Sequence, residues 1–561
     1  MEKRYFVALL LAAAVVAITQ LLFPVSRPVV TAGTKRNTVA SADSTVIGSG
    51  RSIEQQANPK IQDSVVSSVF AQQQQVVDSA PVAEQAEITT VEATRSVYQM
   101  SSLGAVPVSV DLKQYRSLAP SGGVVHLGTP GQPLLRYALV VGADTVALEK
   151  TPFRLSRNGD PANGGELIYD AAVNNARITI TYDFVPNSYV VRIKGRVEGV
   201  GKGAFLLTQL PTSLKPAESD TLADLRNLAY SFKPGKENAR IVPFGKLDPG
   251  EQKLEPGPLT WAAVKNKYFV LGLLNPQGST FSEVMLKGGT RTSRLATSAS
   301  ATIVKALENG SFAMDMYAGP QQSTELIAMG RDFDHVNPYG WRFLQGLVQP
   351  IAALCIRLLL WMHKFLQLSY GWVLVIFGVL IRIILWPLNQ SAMRSNMKMQ
   401  EIQPKLAEVQ KKYKDKPEKQ REEIMKVYSA AGASPFTALA GCLPALIPMP
   451  VLFALFFVFQ NTIEFRGVPF MWLHDISVKD PFYVLPVVMG ISMYALSWLG
   501  LRNAPPNPQA KMMSYMFPVM MTFFLANMAS GLNLYYAAQN LASIPQTWLL
   551  ARERARRTRP T

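Results

Sequence analysis

Apolar runs long enough to cross a bilayer bracket a long central stretch of short alternating segments, and that contrast organises the chain. Residues 5–23 carry no charge, follow Glu2-Lys3-Arg4, and suffice to cross a hydrocarbon core roughly 30 Å thick. They predict a first span, an N-terminal transmembrane anchor over 1–24. A cleaved signal peptide has a similar outline, but no small-x-small site follows Leu21-Leu22-Phe23-Pro24. Residues 25–95 are rich in Ser, Gln, Ala and Val without a large apolar cluster, and they predict a flexible linker. From 96 to 330 apolar residues alternate, as in Ile178, Ile180, Tyr182 and Phe184, then Tyr189, Val191 and Ile193 across a Pro186-Asn187 turn. That period of two, with many Gly and Pro punctuators, predicts an all-β domain of sandwich type.

Beyond Arg331 the period becomes helical. Residues 341–368 are apolar but interrupted by Arg342, Arg357, His363 and Lys364, which predicts an amphipathic helix lying in the membrane interface, assigned to 331–368. Four long runs follow, at 371–388, 435–463, 482–501 and 531–550, and a shorter one at 512–528 carries Pro518. With the N-terminal run they make six spans, five of them forming a helical core over 369–551. Between the second and third spans, residues 391–433 place Ile402, Leu406, Val409 and Tyr413 on one seam. A Lys414-Asp415-Lys416-Pro417 turn follows, and then Ile424 and Tyr428, a pattern that predicts a helical hairpin. The fold class is therefore a polytopic α-helical membrane protein with six transmembrane helices and a large extracytoplasmic all-β domain.

Charge sharpens this picture. The chain has 561 residues, 48% of them hydrophobic, and a net charge of +17, with much of the excess beside apolar runs. Charge placed there reads as topology rather than as specific nucleic-acid recognition. With six spans, the loop after span two, the loop holding Arg502 and Lys511, and the basic tail 552–561 fall on one side. The loop with Glu464, Asp475 and Asp480 against Arg466 and Lys479 falls on the other. Parity puts both termini in the cytoplasm and the β domain outside. Two cysteines, Cys355 and Cys442, lie in apolar stretches and predict no disulfide framework. His126, His335, His363 and His474 lack metal-binding spacing, so neither a metal nor another cofactor is expected.

One charge is out of place. Arg382 sits in Leu380-Ile381-Arg382-Ile383-Ile384-Leu385, where facing lipid would cost from about 3 to well over 10 kcal/mol. It therefore faces water or a partner, or snorkels past Pro387 and Asn389 to the interface. No other span contains an acidic residue, so an intramembrane salt bridge is not evident. An unpaired cation with access to water suits an acidic segment of another molecule. Span six groups Asn533, Tyr535, Tyr536, Gln539 and Asn540, with Asn533, Tyr536 and Asn540 on one helical face. These polar groups either line a wet surface or bond between helices. Pro444, Pro448, Pro450, Pro486, Pro518 and Pro545 free backbone groups in four spans, which fits a hydrated cavity or ordinary kinks. Ala529-Ser530-Gly531 is the nearest approach to an intramembrane serine protease, but no histidine follows it as base.

These residues together resemble the YidC family of membrane protein insertases. The likeness rests on Ile381-Arg382 with Trp386-Pro387-Leu388, on Met397-Lys398-Met399 through Gln403-Pro404-Lys405, and on Gly441-Cys442-Leu443-Pro444. Met449-Pro450 and Ser530-Gly531-Leu532 with Leu534-Tyr535-Tyr536 complete it. The resemblance implies a supersandwich-like periplasmic domain, an inner-membrane location, and a hydrophilic groove around Arg382. It also implies that spans two and six, with Tyr535 and Tyr536, contact an incoming transmembrane segment. The partners it implies are nascent membrane proteins, membrane lipids, a ribosome and a SecYEG/SecDF-type translocon, with the monomer functional. Well-known members carry a threonine one turn before the arginine, where this chain has Gly378, so a hydroxyl contact there does not carry over. Two other readings compete: a solute or proton-coupled transporter, which would need acidic relay residues, and a membrane-anchored scaffold whose β domain carries the function.

Overall fold

The computed structural model describes residues 86–557 apart from 174–175, 202, 293–294, 341–343, 388, 391–401, 403–404, 407, 414–415, 431–448 and 502–507. The expected first span and most of the linker lie outside the described residues, as does Cys442.

The alternating region folds as two main antiparallel sheets packed on a shared core, with a two-stranded ribbon of Arg291–Thr292 and Leu295–Ala296 beside them. A four-stranded sheet runs in chain order through Ile88–Glu92, Ser96–Ser101, Val106–Arg116 and Val124–His126. A 14-stranded sheet has Gln252–Lys265, Phe269–Leu274, Ser311–Pro320, Val190–Glu198 and Ala176–Phe184 as successive neighbours. The Pro186-Asn187 turn joins the last two, with Val191 opposite Phe184 and Ile193 opposite Tyr182. Asn187 takes a φ of 53°, a conformation asparagine tolerates better than most residues. Every apolar member of this alternation is buried. The small sheet meets the large one through Tyr98 edge-on to Phe184 at 5.3 Å and Tyr115 edge-on to Phe269 at 5.6 Å. Tyr182 crosses the same gap, its hydroxyl donating to the Ala105 carbonyl at 2.6 Å.

Both expected boundaries of the domain move outward. The strand Ile88–Glu92 lies inside the stretch read as linker, because only Val91 enters the core and its neighbours show no apolar alternation. It is held by register, with Val91 opposite Tyr98. At the other end Phe333 and Val336 complete the β core, although they lie in the stretch assigned to the interfacial helix. The Phe333 ring stands edge-on to Trp261 at 5.3 Å, and the Trp261 indole donates to the Arg331 carbonyl at 3.1 Å. Two short helices, α1 (Thr221–Arg226) and α2 (Ser323–Ala328), sit on the connections.

Among the lysines buried in the β domain, Lys265 links folding to pH. Lys265 is buried, donates to Asn337 Oδ1 at 3.1 Å, and loses its solvation, which pushes its ammonium from the usual 10.5 down to about 8. Between these values the unfolded chain binds the proton and the folded chain does not, so stability rises with pH across that window. Thermal unfolding of the β domain is expected to shift upward from pH about 8 to about 10.5, a gain on the order of 2–3 kcal/mol. Lys265→Met is expected to flatten that rise in a pH series of melting curves.

The helices follow the described chain as α3 (Gln345–Leu366), α4 (Tyr370–Ile384), α5 (Pro417–Ala430), α6 (Met449–Asn461), α7 (Val484–Leu501), α8 (Pro508–Leu525) and α9 (Ser530–Arg557). Among the described residues α3 and α7 are long and apolar enough to cross a membrane. Residues 370–384, 450–461 and 514–525 form shorter apolar helices. Thus α3, read as interfacial, meets by length and composition the test that α4 fails. One face of α3, with Val348, Ala352, Cys355, Leu359 and Met362, is buried against the bundle, while Leu354, Trp361 and Phe365 stay exposed. Pro387 cannot donate to the Ile383 carbonyl, and α4 is interrupted at Leu385, with helical residues resuming at Trp386. In α9 the helix runs on through residues 552–557, into the stretch read as tail.

In the core α3 packs on α6, α4 on α9, and α7 on both α8 and α9. The hairpin residues belong to a separate unit, where Ile402, Leu406 and Tyr428 form a small core with Ile424 and Val427.

The segment after α6 belongs to two cores at once. Ile463 is buried in the β core, whereas Phe465 is buried among the helices. Arg466 follows directly, its Nε 2.7 Å from Glu218 Oε1, its Nη2 donating to the Ala217 carbonyl at 3.1 Å, and its guanidinium 5.4 Å from the Phe269 ring centroid.

Candidate functional site

Arg382 lies in the last turn of α4 and is half-buried, with its Nε buried and unpartnered. Its Nη2 donates to Gln546 Oε1 at 2.7 Å, across to α9. Gln546 is 1% exposed, and its Nε2 donates to the Trp386 carbonyl at 3.1 Å. A guanidinium only donates and a carbonyl only accepts, so one orientation of the Gln546 amide satisfies both ends. Among the described residues no carboxylate pairs with Arg382.

Two helices hold this arrangement because glycine lets them touch. A Cβ on Gly378 would stand 3.0 Å from the Tyr535 carbonyl oxygen and 3.3 Å from Ala538 Cβ, so the two backbones are nearly in contact. One turn further along α4 comes Arg382, and two turns or so along α9 comes Gln546. Contacts therefore advance in the same direction on both helices, which run parallel.

The other expected site residues separate. Tyr535 is buried between Phe377, at 5.9 Å, and Phe459, at 6.3 Å, while Tyr536, edge-on to it at 5.3 Å, is partly exposed. Asn533 is buried, and its Nδ2 caps the end of α8 by donating to the Leu525 carbonyl at 3.0 Å. Asn540 donates to Ser492 Oγ of α7 at 3.0 Å, and Gln539 remains partly exposed. Asn533 and Asn540 thus bond between helices, one of the two roles their spacing left open. Ser530, the serine of the protease-like tripeptide, is buried at the start of α9 with its hydroxyl on the Asp475 carbonyl at 3.4 Å.

Gln546 is the residue that sequence reasoning missed, although a signal existed. The three- and four-residue polar spacing continues past Asn540 through Ser543, Gln546 and Thr547, all buried. Ser543 and Thr547 return their hydroxyls to carbonyls one turn back, at 2.7 and 3.0 Å, which leaves Gln546 as the member that reaches another helix through its side chain.

Two family models match. Residues 88–354 match the YidC periplasmic domain, and residues 361–557 match the 60Kd inner membrane protein family. A membrane protein insertase YidC from Chlorobaculum tepidum is 32% identical over 66% of this chain, the match spanning 64% of that protein's length. One from Chlorobium limicola is 31% identical over 83% of this chain and 82% of the relative. The crystal structure of an active YidC insertase with its first transmembrane domain resolved aligns with 83% of this chain and 94% of that one, at 17% identity and a TM-score of 0.33. The two family models and these relatives agree, and the chain belongs to the YidC family of membrane protein insertases.

Proposed function

We propose that this chain performs the activity for which its family is named, inserting nascent membrane proteins into the inner membrane without an enzymatic step. The observation that carries the reading is Arg382, a cation inside an apolar helix whose side-chain partner is the neutral Gln546. A charge held this way attracts a polar or acidic end of another chain. That end rests near Arg382 while the apolar part of the segment moves along α4 and α9, past Tyr536, into lipid. Burial of the apolar segment supplies the driving force, and the wet groove shortens the polar end's path through hydrocarbon.

The six-span arrangement with both termini cytoplasmic and the β domain periplasmic belongs to this proposal. Parallel α4 and α9 support it, since spans two and six must run the same way. In the 463–480 loop Arg466 is bonded to Glu218 of the β domain, as a loop on the β domain's side would be. We place α3 in the interface, its exposed Trp361 and Phe365 toward lipid. A ribosome and a SecYEG/SecDF-type translocon are the proposed partners, and the monomer is the proposed working unit.

The test is reconstitution of the full chain into protein-free liposomes with a small single-span substrate bearing an acidic tail. Insertion, read as protease protection, is expected to run several-fold faster than in empty liposomes, and Arg382→Ala is expected to slow it. Arg382→Lys separates a need for charge from a need for the guanidinium fork. Equal rates with and without the protein would sink the proposal.

A further inference from the structure

We propose that Gln546 is the positioning residue for Arg382: it holds the guanidinium in place without cancelling its charge, so that an incoming carboxylate can take over the contact. The inference rests on the insertase reading above.

The chemistry at position 546 is narrow. The side chain meets a donor, Arg382 Nη2 at 2.7 Å, and an acceptor, the Trp386 carbonyl at 3.1 Å, and it is almost fully enclosed. A primary amide has one group of each kind. A glutamate would accept from Arg382 but set an anionic oxygen against the Trp386 carbonyl, and it would neutralise the cation inside the bundle. A lysine or an apolar residue would leave Arg382 without its acceptor. Glutamine therefore meets both hydrogen-bond demands and leaves the positive charge uncompensated.

A neutral amide is the weaker of two competitors. A carboxylate makes a shorter, charge-assisted bond to a guanidinium and accepts from two of its nitrogens at once. Arg382 is only half-buried, and its bond to Gln546 uses one of the five N–H donors of a guanidinium. A substrate carboxylate can engage the exposed part of the guanidinium or displace the amide, while an uncharged tail competes on even terms with Gln546. The pair thus favours acidic tails over neutral ones.

The test uses the full chain in liposomes and two single-span substrates that differ only in Asp/Glu against Asn/Gln in the outside tail. The readout is the ratio of their insertion rates. The unaltered chain is expected to favour the acidic tail roughly fivefold, the size of one partly solvated ion pair. Gln546→Glu is expected to bring the ratio to about one, because the guanidinium is already paired. Gln546→Met, similar in size but with no hydrogen bond, is expected to give roughly twofold, because the charge persists without being held. A merely structural residue would lower both rates together and leave the ratio as it was. Gln546→Glu at the unaltered ratio overturns the proposal, and so does Gln546→Met at that ratio if the glutamate variant does not accumulate. Arg382→Ala separates the two readings. If it abolishes the preference while the Gln546 variants keep it, only the role of Gln546 falls. If the unaltered chain shows no preference, or Arg382→Ala keeps it, the role assigned to Arg382 falls as well.

Discussion

Replacing Arg466 by leucine is expected to weaken the attachment of the β domain to the helices by about 3–5 kcal/mol. The Arg466 and Glu218 side chains are each 6% exposed and 2.7 Å apart, so neither is screened by water. Removing one partner strands the other, which costs more than the pair contributes as a unit. Burial pushes the Glu218 carboxyl above the usual carboxylate range against the pull of Arg466, and nearby Asp224 pushes the same way. Without Arg466 that carboxyl rises further. A raised folded-state value means stability is present when the group is protonated and lost as pH rises through it. The defect of Arg466→Leu is therefore expected to deepen from acid toward neutral pH. Limited proteolysis and thermal unfolding of the full chain across that range check the expectation. Adding Glu218→Leu should restore most of the loss, because two apolar side chains of similar volume need no partner. A double variant no more stable than the single one would count against the account.

Gly378→Leu is expected to destabilise the helical core by about 3 kcal/mol and to slow insertion more than a comparable change on an exposed face. The atom nearest a new Cβ is the Tyr535 carbonyl oxygen, at 3.0 Å, and backbone of a packed helix cannot turn aside as a side chain can. A leucine there forces α4 and α9 apart and stretches the 2.7 Å bond between Arg382 and Gln546. Gly378→Ala is the graded control, since a single methyl needs a shift of only a few tenths of an ångström. Denaturant unfolding of the full chain in micelles reads the first effect, and liposome insertion reads the second. A leucine variant as stable as the unaltered chain would contradict the close approach.

The two variants mark where sequence reasoning reached and where it stopped. The β strands around Ile178 to Ile193 were legible because burial on one face leaves a period-two pattern that no helix shares. Ile88–Glu92 was not, since an edge strand with a single buried side chain leaves no such trace. Arg382 stood out because a charge in an apolar run is costly by itself. Gln546 did not, because a glutamine in a helix is ordinary until its two bonds are seen. Gly378 read as a missing hydroxyl, whereas its structural meaning is the space it leaves for α9. Pairings between distant residues such as Glu218 and Arg466 depend on how two domains meet, which local pattern does not encode.

Two residues apart, Ile463 and Phe465 are committed to different cores. The boundary between the β domain and the helices is therefore not a point on the chain where one module ends and the next begins. An exchange of β domains between relatives would have to carry the 463–466 segment along, or supply a new side chain to fill the place of Ile463 and a new anion for Arg466. Deletion of the β domain with the segment left unaltered would bare an apolar side chain and a cation together. Modularity here is bounded by that short stitch, and a clean transplant begins with redesigning it.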